Sequence, residues 1–194
     1  MRTLRVIEFL SLDGVMQAPG DPQEDTEGGF GHGGWLQPYY DEVLGAASAE
    51  GMAATDAYLF GRKTYDKMAA YWPTVSDDDQ YARHLNRTRK YVASRTPREL
   101  DWAGSELIEG DLVEAVTRLR QEPGGNIAVL GSGEVARTLM AHDLVDELFL
   151  AVYPIVLGGG KRLFGELEAP RTLTLVDSKP TTTGGVILTY RRGA

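Results

Sequence analysis

Val129-Leu130-Gly131-Ser132-Gly133-Glu134-Val135-Ala136 carries the clearest structural signal in the chain. It closes a short apolar run, Ile127 to Leu130, of the kind that forms a buried strand. Two glycines then allow a tight turn, and Glu134 to His142 has the pattern of a helix. A glycine turn entering a helix brings unpaired N–H groups and the positive end of the helix dipole close to any ligand placed there. Taken alone, a Gly-x-Gly turn is equally an ordinary strand-to-helix connection.

The spacing also fits Gly-x-Gly-x-x-Ala, the dinucleotide fingerprint of a Rossmann unit, but its position argues against that reading. The fingerprint follows the first strand of its unit, and an acidic residue comes about 20 positions later at the end of the next strand. Here the turn follows a late strand. The next strand begins with Asp146 and Glu147 and ends in Tyr153-Pro154.

Working outward, Thr3 to Leu10 reads as a first, central strand. Asp56 to Phe60, Tyr91 to Ala93 and Glu147 to Tyr153 are further short apolar runs. Thr172 to Val176 and Gly185 to Arg191 are separated only by a Pro/Thr/Gly turn, which predicts an antiparallel end to the sheet. Helices are predicted over Pro38 to Met52, Lys63 to Tyr71 and Asp111 to Gln121, the last with Asp111 as N-cap and Glu114 three residues on. Strand and helix alternate, so the fold class is α/β with crossover helices, and the closing hairpin makes the sheet mixed. Ala18 to Trp35 has no periodicity. It is a surface loop or a lid, and its place directly after the first strand favours the lid.

Composition narrows the function. With 194 residues and 42% hydrophobic content, the chain suits one domain, residues 1–194, with a sizeable core. A net charge of -8 excludes a general attraction for nucleic acid or anionic lipid, so local basic clusters gain weight. The absence of cysteine excludes disulfides, thiolate metal sites and thiol nucleophiles. Neither a leader-like pattern nor an apolar run of about 20 residues is present, which points to a cytoplasmic protein with no membrane partner. His32, His84 and His142 are far apart and no metal is expected. The Gly-x-Ser-x-Gly elbow of hydrolases is missing. Asp77-Asp78-Asp79 reads as a solvated, helix-starting cluster.

Two further strand exits resemble the first. Leu59-Phe60-Gly61-Arg62-Lys63-Thr64-Tyr65 places two cations and a hydroxyl at a helix start, where cations oppose the dipole unless an anion sits among them. Tyr91-Val92-Ala93-Ser94-Arg95-Thr96-Pro97 ends a strand in a hydroxyl and a guanidinium, and arginine forks suit phosphate oxygens. In an open α/β sheet, ligands bind beyond the carboxyl ends of parallel strands. All three motifs lie at such ends.

Together these motifs resemble the dihydrofolate reductase superfamily, in its branch containing the reductase domain of riboflavin biosynthesis. The resemblance runs through nearly the whole chain and implies a central mixed sheet of about eight strands with helices on both faces. Ser11-Leu12-Asp13-Gly14-Val15-Met16 is similar to the first-strand exit whose backbone meets the nicotinamide, which assigns Met16 to the cofactor. Gly61-Arg62-Lys63-Thr64 resembles the segment that holds the pyrophosphate and adenosine 2′-phosphate. Ser94-Arg95 resembles the pair flanking the ribose phosphate, and Gly131-Ser132-Gly133-Glu134-Val135 the turn under the pyrophosphate. The most specific match is Asp146-Glu147-Leu148 followed by Pro154 to Phe164. In one respect the chain departs from folate reductases: the position of their first-helix carboxylate falls near Gly45. Asp41, one turn earlier, is a substitute or a surface acid at a helix start.

The resemblance implies an NADPH-dependent reductase that passes hydride to a planar pterin-like, pyrimidine or related molecule, and a homodimer. The alternative is a non-catalytic NADP(H)-binding or sensor protein. Candidate proton donors are Asp13, His32, Asp41 and Tyr65. Trp35 and Tyr65 are candidate substrate contacts.

Overall fold

Alternation along β1 (Leu4–Ser11) decides how the rest of the chain packs. In the computed structural model, which describes residues 1–165 and 170–193, Leu4, Val6, Glu8 and Leu10 are buried on one side of this strand. Arg5, Ile7 and Phe9 are only partly covered on the other. Alternate residues of a strand share a face, so one face of β1 is sealed and the other looks into a cleft.

β1 lies inside an eight-stranded sheet of order β4-β3-β2-β5-β1-β6-β8-β7. The other strands are β2 (Thr55–Gly61), β3 (Arg89–Ala93), β4 (Ser105–Ile108), β5 (Asn126–Leu130), β6 (Glu147–Tyr153), β7 (Leu173–Pro180) and β8 (Val186–Arg192). The strands from β4 to β6 run parallel, while β8 is antiparallel to both β6 and β7. The fold is thus the α/β, dihydrofolate reductase-like mixed sheet with an antiparallel C-terminal hairpin.

Helices cover both faces. Val116 of α4 (Leu112–Gln121) and Val135, Ala136 and Leu139 of α5 (Gly133–Ala141) pack with Leu4, Val6 and Leu10 in one core. On the other face the core is split. Leu44 and Ala47 of α1 (Glu42–Ala53) pack with Phe149, Ala151 and Tyr153. Tyr65 of α2 (Arg62–Tyr71) and Leu85 of α3 (Gln80–Arg87) pack with Tyr58, Phe60 and Val92. Ile7 and Phe9 touch both clusters and form the floor between them.

Local chemistry sets the element boundaries. Asp111 caps α4 as expected, accepting from the N–H groups of Val113 (2.9 Å) and Glu114 (3.0 Å). The first helix starts at Glu42 rather than Pro38, because Gln37–Tyr39 forms a 3₁₀ turn and extended Asp41 takes the cap. The short strand β4 lies outside the sequence-based prediction, and of α3 only the start is predicted, at the acidic cluster. Asp79, within the acidic cluster, caps α3. β7 runs four residues beyond the predicted Val176. Its Leu175 is 51% and its Val176 46% exposed. A register shift between Leu175 and Asp177, with Lys179 and Pro180, interrupts this open edge. Among the described residues no helix is long and apolar enough to cross a membrane.

Glu8 is the anomaly of the sealed face. It is 3% exposed, and its Oε1 has no hydrogen-bond partner. Burial pushes its carboxyl well above the usual carboxylate range; Arg137 pulls it partly back and Glu24 adds to the rise. Folding therefore favours the proton on Glu8. Stability should fall as pH rises from about 4.3, the unfolded value, through the folded pKa. Glu8→Gln should raise the melting temperature at pH 8, corresponding to roughly 1–3 kcal/mol, and leave it unchanged near pH 4. Calorimetry across this range checks the sign: a loss at pH 8 would mean that Glu8 is ionised and held by Arg137.

Candidate functional site

Two strand exits meet at one hydrogen bond. The N–H of Gly61, at the end of β2, donates to Ser132 Oγ, beyond the end of β5, at 2.9 Å. Ser132 holds a left-handed backbone (φ 62, ψ 52), uncommon for a residue with a side chain and characteristic of strained functional turns. Thr64 stands over Gly131, where an added Cβ would lie 3.5 Å from its Cγ2. A Cβ on Gly133 would come within 2.7 Å of Met16 Sδ, which no side chain there can satisfy without displacement. Glu134 and Val135 follow in the first turn of α5, Glu134 exposed and Val135 buried. Met16, Gly61, Thr64, Gly131, Ser132 and Gly133 are thereby brought together, with the N-termini of α2 and α5 beside them.

Gly61 pairs with Ala93 across β2 and β3, so Arg62 and Ser94 leave adjacent strand ends. Arg62 is 3.6 Å from Asp66, which also holds Arg98 at 2.5 Å. Lys63 Nζ meets Glu27 at 2.6 Å. Arg95 is exposed and, among the described residues, has no carboxylate partner. Ser94 Oγ closes a local turn by donating to the Thr96 carbonyl at 2.9 Å.

The segment Ala18 to Trp35 lies along the carboxyl ends of the strands. Phe30 packs against Val15 in the α1-side core. Gln17 Nε2 donates to the carbonyls of Asp25 (3.1 Å) and Glu27 (3.0 Å), while its Oε1 accepts the Lys161 N–H (2.9 Å). His32 is exposed, its ring edge-on to Phe30 at 5.6 Å. The two aromatic substrate candidates are committed elsewhere. Trp35 is buried against Tyr153 and donates Nε1–H to the Gln17 carbonyl at 2.9 Å. Tyr65 is buried and its hydroxyl accepts the Trp102 N–H at 3.0 Å. Both serve packing, the first as the anchor of the loop.

The acidic candidates are likewise occupied. Asp13 accepts from Ser11 Oγ (2.7 Å) and from the N–H groups of Leu157 (3.1 Å) and Gly158 (2.9 Å). These bonds, the Ser11 hydroxyl first, hold its carboxyl far below the usual range. Asp41 caps α1 through the Leu44 N–H (2.9 Å) and accepts both the N–H (2.6 Å) and hydroxyl (2.7 Å) of Thr182, which lowers its pKa too. Both are ionised turn-builders, and neither holds a proton to give. At Gly45 an added Cβ would meet nothing within 4 Å, so this stretch of α1 is open and carries no acid.

The cleft continues from the glycine turn. The Gly131 N–H donates to the Ile7 carbonyl at 3.2 Å, joining the turn to the floor of Ile7 and Phe9. A crevice there is lined by Ser48, Tyr58, Tyr81, Leu130 and Phe149 as well. Burial pushes the Tyr81 hydroxyl up to about 12. Ile7, Phe9, Tyr81 and Lys161 have no role legible in the sequence. Only the β1 alternation hints at the first two. Among the described residues no group of three or more His, Asp or Glu is placed to hold a metal ion.

Comparison with known proteins places this geometry in a family. The model described as the RibD C-terminal domain matches residues 2–187. Over 138 residues the chain is 33% identical to the uncharacterized protein YyaP of Bacillus subtilis (strain 168), covering 70% of this chain and 73% of that one. The crystal structure of a Shewanella sp. PV-4 protein named for riboflavin biosynthesis superimposes with TM-score 0.73 at 25% identity over 99% of both chains. A Thermotoga maritima diaminohydroxyphosphoribosylaminopyrimidine deaminase/5-amino-6-(5-phosphoribosylamino)uracil reductase shares the fold, with TM-score 0.66 and 14% identity over 99% of this chain and 57% of that one.

Asp41→Ala should lower the melting temperature, since it uncaps α1 and frees the Thr182 turn. A carboxyl with a lowered folded pKa stabilises above its unfolded value, about 3.9, and loses that effect as pH falls through the folded pKa. The gap between variant and parent should accordingly close below pH 4. A gap that stays constant down to pH 2 in thermal melts would contradict the capping role.

Proposed function

The chain belongs to the RibD C-terminal domain family, and from that premise we propose that it is an NADPH-dependent reductase delivering hydride to a planar pyrimidine-like or pterin-like small molecule. The observation that carries this reading is adjacency: the glycine turns of β2 and β5 are bonded to each other through Ser132, and the Gly131 N–H is bonded to β1 at Ile7, which with Phe9 floors the neighbouring crevice. A planar ring on that floor lies beside the place where a nicotinamide would enter. The similarity to a riboflavin-biosynthesis protein along 99% of the chain supports the substrate class.

The residues present fit the cofactor. Gly133 lets Met16 close onto the turn, and Gly131 takes a left-handed backbone (φ 59) that a side chain would strain. Ser132 Oγ accepts from Gly61 and keeps its own proton for an incoming oxygen. Thr64 adds a hydroxyl, and Arg62 and Arg95 offer guanidinium forks at neighbouring strand ends. When bound, NADPH supplies the hydride. The chain's own residues then orient the two ligands: Ile7 and Phe9 present an apolar floor, Tyr81 a hydroxyl, and the anchored loop restricts water. Of the donor candidates, His32 alone has a side chain free of hydrogen bonds to the described residues.

One observation favours a second reading. With Asp13 and Asp41 committed and α1 bare at Gly45, the site is short of acids. That arrangement also suits a protein that binds NADP(H) without turning it over. Substrate-dependent NADPH oxidation in a screen of pyrimidine, pterin and flavin-precursor compounds separates the two. A cytoplasmic location belongs to the proposal and rests on the cysteine-free composition.

Selectivity tests the cofactor assignment. Charge-assisted bonds contribute roughly 1.5–3 kcal/mol each before solvent screening, so two guanidiniums on the 2′-phosphate give a preference for NADPH over NADH on the order of a hundredfold. Arg62→Ala or Arg95→Ala should erode that preference by about tenfold and leave NADH affinity nearly unchanged. Fluorescence titration at low salt measures it, and equal affinities of the parent protein for the two cofactors would remove these side chains from the 2′-phosphate. The proposal also includes a homodimer; light scattering at micromolar concentration should give twice the chain mass, and a monomeric mass would count against it.

A further inference from the structure

Contacts around the glycine turn close into a ring. Thr64 stands on Gly131, Gly133 on Met16, and the Met16 N–H donates to the Lys161 carbonyl at 2.8 Å. Lys161 Nζ lies 2.6 Å from Glu27 Oε2 and 2.6 Å from Asp25 Oδ2. The same Glu27 Oε2 lies 2.6 Å from Lys63 Nζ, and Lys63 is the neighbour of Thr64 on the first turn of α2. Two ammonium groups from segments nearly a hundred residues apart thus converge on a single carboxylate oxygen at the rim of the glycine turn. Their hydrogen bonds, Lys161 first and then Lys63, bring the Glu27 carboxyl down to about 2, so it is ionised throughout the physiological range.

We propose that Lys63 and Lys161 form a two-lysine anion site, which Glu27 fills in the free protein and a phosphate oxygen of the cofactor takes over on binding. The proposal rests on the cofactor reading above and adds to it a ligand, Lys161, and a competitor, Glu27. Geometry supports the exchange. A carboxylate oxygen shared by two ammoniums presents the same charge-assisted acceptor as a diphosphate oxygen. Glu27 is 55% exposed and Lys63 64% exposed, so these ion pairs are weak enough to break when a better anion arrives. The Glu27 backbone is held, its carbonyl accepting from Gln17 Nε2 (3.0 Å) and its N–H donating to Asp25 Oδ1 (3.1 Å), so the exchange asks only for rotation of its exposed side chain. Lys161 is likewise fixed, through its backbone N–H by Gln17 and through its carbonyl by Met16, and Asp25 keeps its ammonium at the rim when Glu27 leaves. The lysines form the site and the glutamate is the movable occupant.

The exchange predicts an unusual sign. Removing a carboxylate from a surface ion-pair network normally costs a little stability and does nothing to a ligand. Here Glu27→Gln should tighten NADPH binding by about tenfold in a fluorescence titration at low ionic strength, and salt should shrink the gain. Lys161→Gln in the Glu27→Gln background should then weaken binding by a similar factor, because the lysine acts on the ligand and no longer serves as a tether for Glu27. V8 digestion supplies a readout independent of affinity: NADPH should raise the rate of cleavage after Glu27 in the parent protein, because the released side chain becomes accessible to a glutamate-specific protease. Equal NADPH affinity of the parent and Glu27→Gln proteins would overturn the exchange while leaving the cofactor reading in place. Failure of both proteins to bind NADPH would overturn the cofactor reading itself, and the exchange with it.

Discussion

Parallel pairing of β1 between β5 and β6 is the constraint from which the rest of the molecule follows. Parallel neighbours cannot be joined by hairpins, so each connection must cross a face of the sheet, and the crossovers return the chain to the same edge every time. The exits of β1, β2, β3 and β5 therefore gather on one side. Gly61, Ser94, Gly131 and the turn after Ser11 are distant in sequence and adjacent in space for this reason alone. Once gathered, the hydrogen bond from Gly61 to Ser132 Oγ and the contact of Met16 with Gly133 fix their spacing to within a side chain.

The same constraint shapes the cleft. A strand hydrogen-bonded on both sides has only its two faces left to present, and on β1 these are unequal. α4 and α5 seal Leu4, Val6 and Leu10, whereas α1 and the α2–α3 pair stand apart over Ile7 and Phe9. The opening between the two apolar clusters is a product of packing rather than of any particular residue. It ends at the glycine turn because the Gly131 N–H bonds to Ile7.

This division explains what was legible in the sequence. Short-range signals held: the apolar run and glycines at 127–133, Asp111 as a cap, and the Pro/Thr/Gly turn of the last hairpin all act within a few residues of themselves. β4 went unseen because four residues are too few to show a period, and α3 was legible only at its acidic start because eight residues with only Ala82 and Leu85 buried give too weak a period to extend it. The side chains were harder still. Asp13 is claimed by backbone N–H groups at Leu157 and Gly158, Asp41 by Thr182, and Tyr65 by the Trp102 N–H. Each partner is dozens of residues away or more, and no spacing rule anticipates it. An aspartate beside a glycine and an aspartate at a helix start look the same as free acids until the fold supplies their donors.

Charge at the site obeys one further consequence of burial. Arg137 on α5 donates to the Arg162 carbonyl at 2.8 Å, and its Nη1 lies 3.2 Å from the Cβ position of Gly133. An ionised Glu8 beneath it would neutralise that guanidinium and oppose any anion at the turn. Burial, however, drives Glu8 toward its protonated form, and Oε1 has no partner to reverse the effect. The sealed face thus leaves the positive charge of Arg137 available at the glycine turn. In a chain whose net charge is -8, cationic character at one edge depends on where the acids sit: a buried acid behind the site whose carboxyl burial pushes toward the proton, and acids in front of it, Asp25 and Glu27, held on a loop. The location of each carboxylate, more than the number of lysines and arginines, is what makes this strand edge suited to an anion.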